Sequence, residues 1–290
     1  MSEPPAKKMR LGFENFAAPL KVTVGGSEKQ DFYINKEKIC LESDFFKAAC
    51  KKEWSSGRDN VVDLEDDPDV FAIFLVWLTT GSISAAESLV DIPELPKVPG
   101  SKRKLPANIK YESSPEPPTD TEPTPGETRR QLAVKLQQYR MRFFQLLECY
   151  YLGDSLQAEN FRNYIMDRTV GLLKSRNKFR NMSFEAGEKF TVLASHHLSI
   201  MEIYQRTPPN APLRKLLVDY HLEIIGQTHV NEVALDMEHH PQDYLQDLIS
   251  QLAKGYYNVA PRVSFCNKRR CTYHNHTKVP KGFVCAATRL

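Results

Sequence analysis

The chain has 290 residues, 41% hydrophobic and 26% charged, enough apolar side chains to build one or two packed domains. Its net charge of +3 is too small to make nucleic-acid binding a property of the whole chain, and leaves that activity only to a local patch. No run approaches the ~18 apolar residues of a membrane span, and Met1 to Gly12 has no apolar core for a secretory signal, so residence inside the cell, nucleus or cytoplasm, is expected.

Residues 1–19 are polar and proline-containing and read as a disordered tail, in which Lys7-Lys8-Met9-Arg10 is a solvated basic end before it is an import signal. Leu20-Lys21-Val22-Thr23-Val24 alternates apolar and polar, as a half-buried strand should. Gly25-Gly26-Ser27 punctuates it, and Asp31-Phe32-Tyr33-Ile34 reads as the second strand of a hairpin. Ile39, Leu41, Phe45, Phe46 and Ala49 lie near helical spacing and predict one or two short helices. Asn60 to Leu64 is β-branched and strand-like. Asp67-Pro68 starts a helix, Asp as cap and Pro at the first helical position. Val70, Phe71, Phe74, Leu75 and Leu78 share one of its faces, and Gly81 closes it.

From Pro93 to Pro125 the composition changes: nine of the 19 prolines fall here, Lys102-Arg103-Lys104 makes one end basic, and Tyr111 to Thr128 holds five acids and no Lys or Arg. Burial in such a segment does not repay its ordering entropy, so residues 85–129 are expected to be a disordered insert. Ser113-Ser114-Pro115 and Thr124-Pro125 would suit phosphorylation, although the plainer reading is a tolerated surface insertion. Leu132, Leu136, Tyr139, Phe143, Leu147 and Tyr150 then form a helical stripe, which Gly153 is expected to break. A second helix carries Leu156, Phe161, Ile165 and Leu172. Phe190 to Gly226 predicts another helical pair, divided at Thr207 to Pro212, and Asp243 to Tyr256 one more helix. Together 178–258 form a helical C-terminal extension, and 259–290 a basic, irregular tail.

In order and spacing, residues 20–81 resemble the opening of a BTB/POZ domain. The strand pair, Asn35-Lys36-Glu37-Lys38-Ile39-Cys40, Ser43-Asp44-Phe45-Phe46, Val61-Val62-Asp63-Leu64, and Leu75 to Gly81 each fit that family's pattern. Leu146 to Leu173 resembles the family's two closing helices, with Tyr151-Leu152-Gly153-Asp154 as their turn. Thr207 to Asp219 is similar to the tails of BTB proteins common in filamentous fungi. The resemblance implies an α+β fold: a small sheet with a helical cluster, residues 20–84, is interrupted by the insert and completed by closing helices over 130–177. It also implies a non-enzymatic adaptor that binds protein partners, by forming a homodimer, by recruiting a cullin-type ubiquitin ligase, or both. Asn35 stands where the family usually has His and Lys21 where many members carry an acid. Lys51-Lys52-Glu53 has Lys where cullin recruitment uses a hydrophobe.

No catalytic constellation accompanies this. Gly25-Gly26 lacks the Lys-Ser/Thr of a phosphate loop, and no Gly-x-Ser-x-Gly occurs. His196-His197 and His239-His240 are neighbours, about 100° apart on a helix, so neither pair serves one ion. Glu65-Asp66-Asp67 fits a helix N-terminus. No enzyme and no cofactor are therefore expected. Of the six cysteines, Cys40, Cys50 and Cys149 sit in apolar segments, which argues against a disulfide framework. Cys266, Cys271, His274 and His276, with Cys285 beyond them, are the residues with ligand character. Cys-x4-Cys-x2-His-x-His matches no recognised finger spacing, so a solvated tail without metal is expected. The rival reading is a zinc-dependent nucleic-acid-binding regulator using this tail with Lys268, Arg269, Arg270 and Lys278.

Overall fold

A computed structural model describes residues 19–51, 59–84, 125–176, 197–222, 227–257, 270–277 and 285. The expected tail up to residue 18 and the expected insert up to residue 124 lie outside them.

Strands β1 (Leu20–Val24) and β2 (Gln30–Ile34) form the predicted antiparallel hairpin. β3 (Val61–Leu64) joins the other side of β1 in parallel, Val22 opposite Val62, giving the order β2-β1-β3. Alternation along β1 puts Leu20, Val22 and Val24 into the core. On the opposite face Lys21 Nζ lies 2.9 Å from Asp31, which also accepts from Thr23 Oγ1 at 2.8 Å. Lys21 is thus a cross-strand partner of a carboxylate.

Helices α1 (Lys36–Glu42) and α2 (Asp44–Ala49) begin at capping side chains. Asn35 Oδ1 accepts from Lys38 N at 2.9 Å, and Ser43 Oγ accepts from Phe46 N at 3.1 Å. In α3 (Pro68–Thr80), Asp67 caps the N-terminus and Gly81, at φ 76°, ends the helix in the left-handed region. Both boundaries stand where the sequence puts them. Val70, Phe71, Phe74 and Leu78 are buried, Ile73 joins them, and Leu75 is half-buried.

The remaining helices are α4 (Pro125–Ser155), α5 (Glu159–Arg176), α6 (His197–Arg206), α7 (Pro212–Tyr220), α8 (Gln227–Leu235) and α9 (Gln242–Tyr257). Two expectations change here. Helix α4 starts at Pro125, so residues 125–129, read as the end of the insert, are helical, with Pro in the first turn where its missing N–H costs nothing. And α4 runs through Gly153 instead of breaking there. A Cβ at this glycine would stand 3.1 Å from Phe161 Cδ1, so the residue serves the close approach of α5. Helix α8 has no counterpart in the sequence reading. The mixed α and β fold, a small sheet with a helical majority, is as expected.

One core runs through all of this. Ser43, fully buried, donates from Oγ to the Leu156 carbonyl at 2.6 Å, tying α2 to the α4–α5 turn across 113 residues. Ring contacts extend the tie: Phe32 to Phe71 at 5.2 Å, Phe74 to Phe161 at 5.1 Å and Trp77 to Phe161 at 5.0 Å. Residues 20–84 and the α4–α5 pair therefore share one hydrophobic centre. The extension joins it through Arg206, whose Nη1 and Nη2 fork onto Glu148 at 2.5 and 3.0 Å and whose guanidinium lies 3.9 Å from the Tyr151 ring centre.

Candidate functional site

Two features stand out from this frame: a Cys/His cluster on the C-terminal segment, and exposed apolar side chains on the sheet and α1.

The segment 270–277 opens with a short helical turn, Arg270–Tyr273, and lies over α5 and α7. Tyr273 is buried and its hydroxyl donates to Asp219 of α7 at 3.0 Å. Asn163 of α5 makes a two-way amide pair with Asn275, donating to its carbonyl at 2.8 Å and accepting from its N–H at 2.9 Å. Thr277 donates to Glu159 through both its N–H, at 3.3 Å, and its hydroxyl. These bonds tie Tyr273, Asn275 and Thr277 to α5 and α7. The expected solvated tail is therefore corrected for residues 270–277, which are docked. The physical reason is that α5 and α7 supply the framework that the flanking sequence lacks.

This docking brings three potential ligands together. The ligand atoms of Cys271, His276 and Cys285 all lie within 4.8 Å of one another. Cys271 Sγ is 3.0 Å from His276 Nε2. Beside them, His274 Nδ1 is 3.4 Å from Cys285 Sγ, and its Nε2 is 3.1 Å from Asp167 Oδ1 on α5. Burial works against a charged His274 ring, but the bonds to Asp167 and Cys285 outweigh it and raise its pKa. Of the residues singled out in the sequence, Cys271, His274 and His276 are gathered here with Cys285, and Cys266 lies outside the described residues.

The other cysteines differ. Cys40, Cys50 and Cys149 carry no disulfide, and burial pushes the thiols of Cys40 and Cys149 up to about 12. Both therefore stay protonated near neutral pH, and the thiolate is the metal ligand and nucleophile. His239 pairs with Asp236, with Glu238 nearby, on an exposed turn beside an open cleft of about 480 Å³ between α6 and the start of α9. Exposed acids grouped this way need no ion to explain them.

The second feature is apolar exposure. Tyr33, on the edge strand β2, is 69% exposed, and Leu41 on α1 is 82% exposed. Leu235, at 88%, and Ile249, at 59%, are exposed as well, on helices of the extension, and apolar side chains exposed singly are ordinary on a folded surface. Sequence spacing grouped Ile39 and Leu41 in the predicted short helices; Ile39 is buried and Leu41 faces outward.

No protein-family model matches the chain, and neither the curated proteins nor the solved structures contain a match to it. Among the described residues, no helix is long and apolar enough to cross a membrane.

Proposed function

We propose that the chain is a non-catalytic protein-interaction adaptor built on a BTB/POZ-type domain. The observation that carries the reading is the arrangement of residues 20–84 and the α4–α5 pair. The order β1-β2-α1-α2-β3-α3, with β1 antiparallel to β2 and parallel to β3, is closed by two later helices that share its core. The resemblance read from the sequence puts its strands and helices in that order. In this reading the segments on either side of the insert belong to one domain, and Tyr33 and Leu41 belong to the surface that meets a partner.

The partner is a second copy of the chain, another protein, or each in turn. Recruitment of a cullin-type ubiquitin ligase is the weaker arm, because Lys51 stands at the hydrophobe position and Lys52 and Glu53 lie outside the described residues. A second reading, the zinc-dependent nucleic-acid-binding regulator, gains from the gathered Cys/His set. Lys268, Arg269 and Lys278, its phosphate contacts, lie outside the described residues, and nothing else favours that half of it.

Sedimentation velocity of the full-length chain tests the self-association arm. That arm predicts a dimer, which Tyr33→Glu with Leu41→Arg would convert to a monomer with unchanged helical circular dichroism, since both side chains are exposed. A wild-type monomer at tens of micromolar removes this arm and leaves recruitment of other proteins.

A further inference from the structure

Three donors, from Cys271, His276 and Cys285, converge on one small volume, and a fourth, His274 Nδ1, lies 3.4 Å from Cys285 Sγ at its edge. Zn²⁺ takes thiolates at about 2.3 Å and imidazole nitrogens at about 2.0–2.1 Å in a tetrahedron. Those lengths place a sulfur and a nitrogen about 3.6 Å apart and two sulfurs about 3.8 Å apart. The observed separations, 3.0 Å from Cys271 to His276 and 3.4 Å from Cys285 to His274, are within about 0.6 Å of that value without any ion to set them. The ligand atoms of Cys271, His276 and Cys285, mutually within 4.8 Å, are close enough for one ion to reach all three.

Charge and orientation agree. Two thiolates offset the two charges of the ion, so a neutral centre forms against α5 with both cysteines half-buried. A zinc-bound histidine ordinarily gives its other ring nitrogen to a carboxylate, which fixes the tautomer that ligates. His274 has that partner in Asp167, at 3.1 Å. The segment is also held independently of any metal by Tyr273, Asn275 and Thr277, so Cys271, His274 and His276 are positioned before an ion arrives.

We propose that Cys271, His276 and Cys285 bind one Zn²⁺ ion, with His274 Nδ1 as the fourth donor. On binding, the Cys271 and Cys285 thiols each lose a proton to solvent and both histidines bind as neutral imidazoles, so two protons are released if the rings start neutral. All four positions are then protein ligands, the closed arrangement of a structural site with no place for a reacting water. The ion's role is to staple residue 285 to the 270–277 segment, and through Tyr273 and Asn275 to hold α7 and α5 together.

The test is the metal content of the full-length chain purified without chelator, followed by cobalt replacement. One zinc per chain is expected, and the cobalt form should show thiolate-to-metal charge transfer with the intense visible bands of tetrahedral coordination. Cys271→Ser, Cys285→Ser and His276→Ala are each expected to lose stoichiometric zinc, while Cys50→Ser keeps it. His274→Ala should weaken zinc at least tenfold, by analogy with outer-partner losses of about 10–100-fold. Wild-type protein that takes up neither zinc nor cobalt after reduction overturns the site, whatever the variants do. Full zinc affinity in His274→Ala with loss in Cys266→Ser overturns the fourth-donor assignment.

Discussion

Phe161→Ala is expected to destabilise the protein by about 3–5 kcal/mol, the range for deleting a fully buried aromatic ring. Phe161 is fully buried at the start of α5, with its ring edge-on to Phe74 and beside Trp77, both from α3. The cavity would open where the α3 face, the α5 face and the Gly153 backbone meet. Gly153 has no side chain to move into the space, so collapse is limited and the loss falls in the upper part of the range. A typical domain has about 5–15 kcal/mol in total, so the variant should melt far below the wild type. Urea unfolding followed by circular dichroism measures it. A loss under about 1 kcal/mol would mean that residues 20–84 and α5 do not share a core.

Arg214→Leu is expected to cost a similar amount, about 2–6 kcal/mol, for a different reason. Arg214 sits on α7, yet its guanidinium turns back to the end of α6. Nε donates to Thr207 Oγ1 at 3.0 Å, and Nη2 donates to the Tyr204 carbonyl at 2.7 Å and to the Thr207 carbonyl. The guanidinium also lies 4.4 Å from the Tyr204 ring centre. It thereby caps carbonyls that a helix C-terminus leaves open. The Arg214 side chain is 5% exposed and that of its ion-pair partner Asp243 is 60% exposed, so the pair itself contributes little and the carbonyl bonds dominate. Leucine fills the space of the stem and leaves two buried carbonyls without that donor, each costing about 1–3 kcal/mol. Asp243→Asn should therefore cost under about 1 kcal/mol, and Arg214→Lys should recover less than half of the leucine loss, because an ammonium lacks the planar fork. Equal losses for Arg214→Leu and Asp243→Asn would assign the energy to the ion pair instead.

How much of this the sequence disclosed depends on whether the signal is local. Leu20, Val22 and Val24 announce a strand by alternation, and Asp67-Pro68 and Gly81 announce α3 by cap chemistry, because each feature is decided within a few residues. The parallel pairing of β3 with β1 and the Ser43 to Leu156 bond are invisible locally, since they join distant segments. Gly153 was misread because a helix stop and a close helix approach call for the same residue. Arg214 looks like any surface arginine until α6 is placed beside it. The Cys/His cluster was legible as a set of residues and not as a geometry. A finger's ligand spacing presupposes its own strand and helix, whereas here Asn163 and Asp167 of α5 orient the segment from more than a hundred residues away.

Affinity purification of the tagged full-length chain from its native cells, in parallel with the Tyr33→Glu, Leu41→Arg variant, tests the central claim most directly. The adaptor reading predicts specific partners, second copies of the chain included, that are captured by the wild type and lost with the variant at equal expression and unchanged fold. The same partners captured by both proteins, with none depending on Tyr33 or Leu41, would contradict it and move the interaction away from the β1–α3 unit.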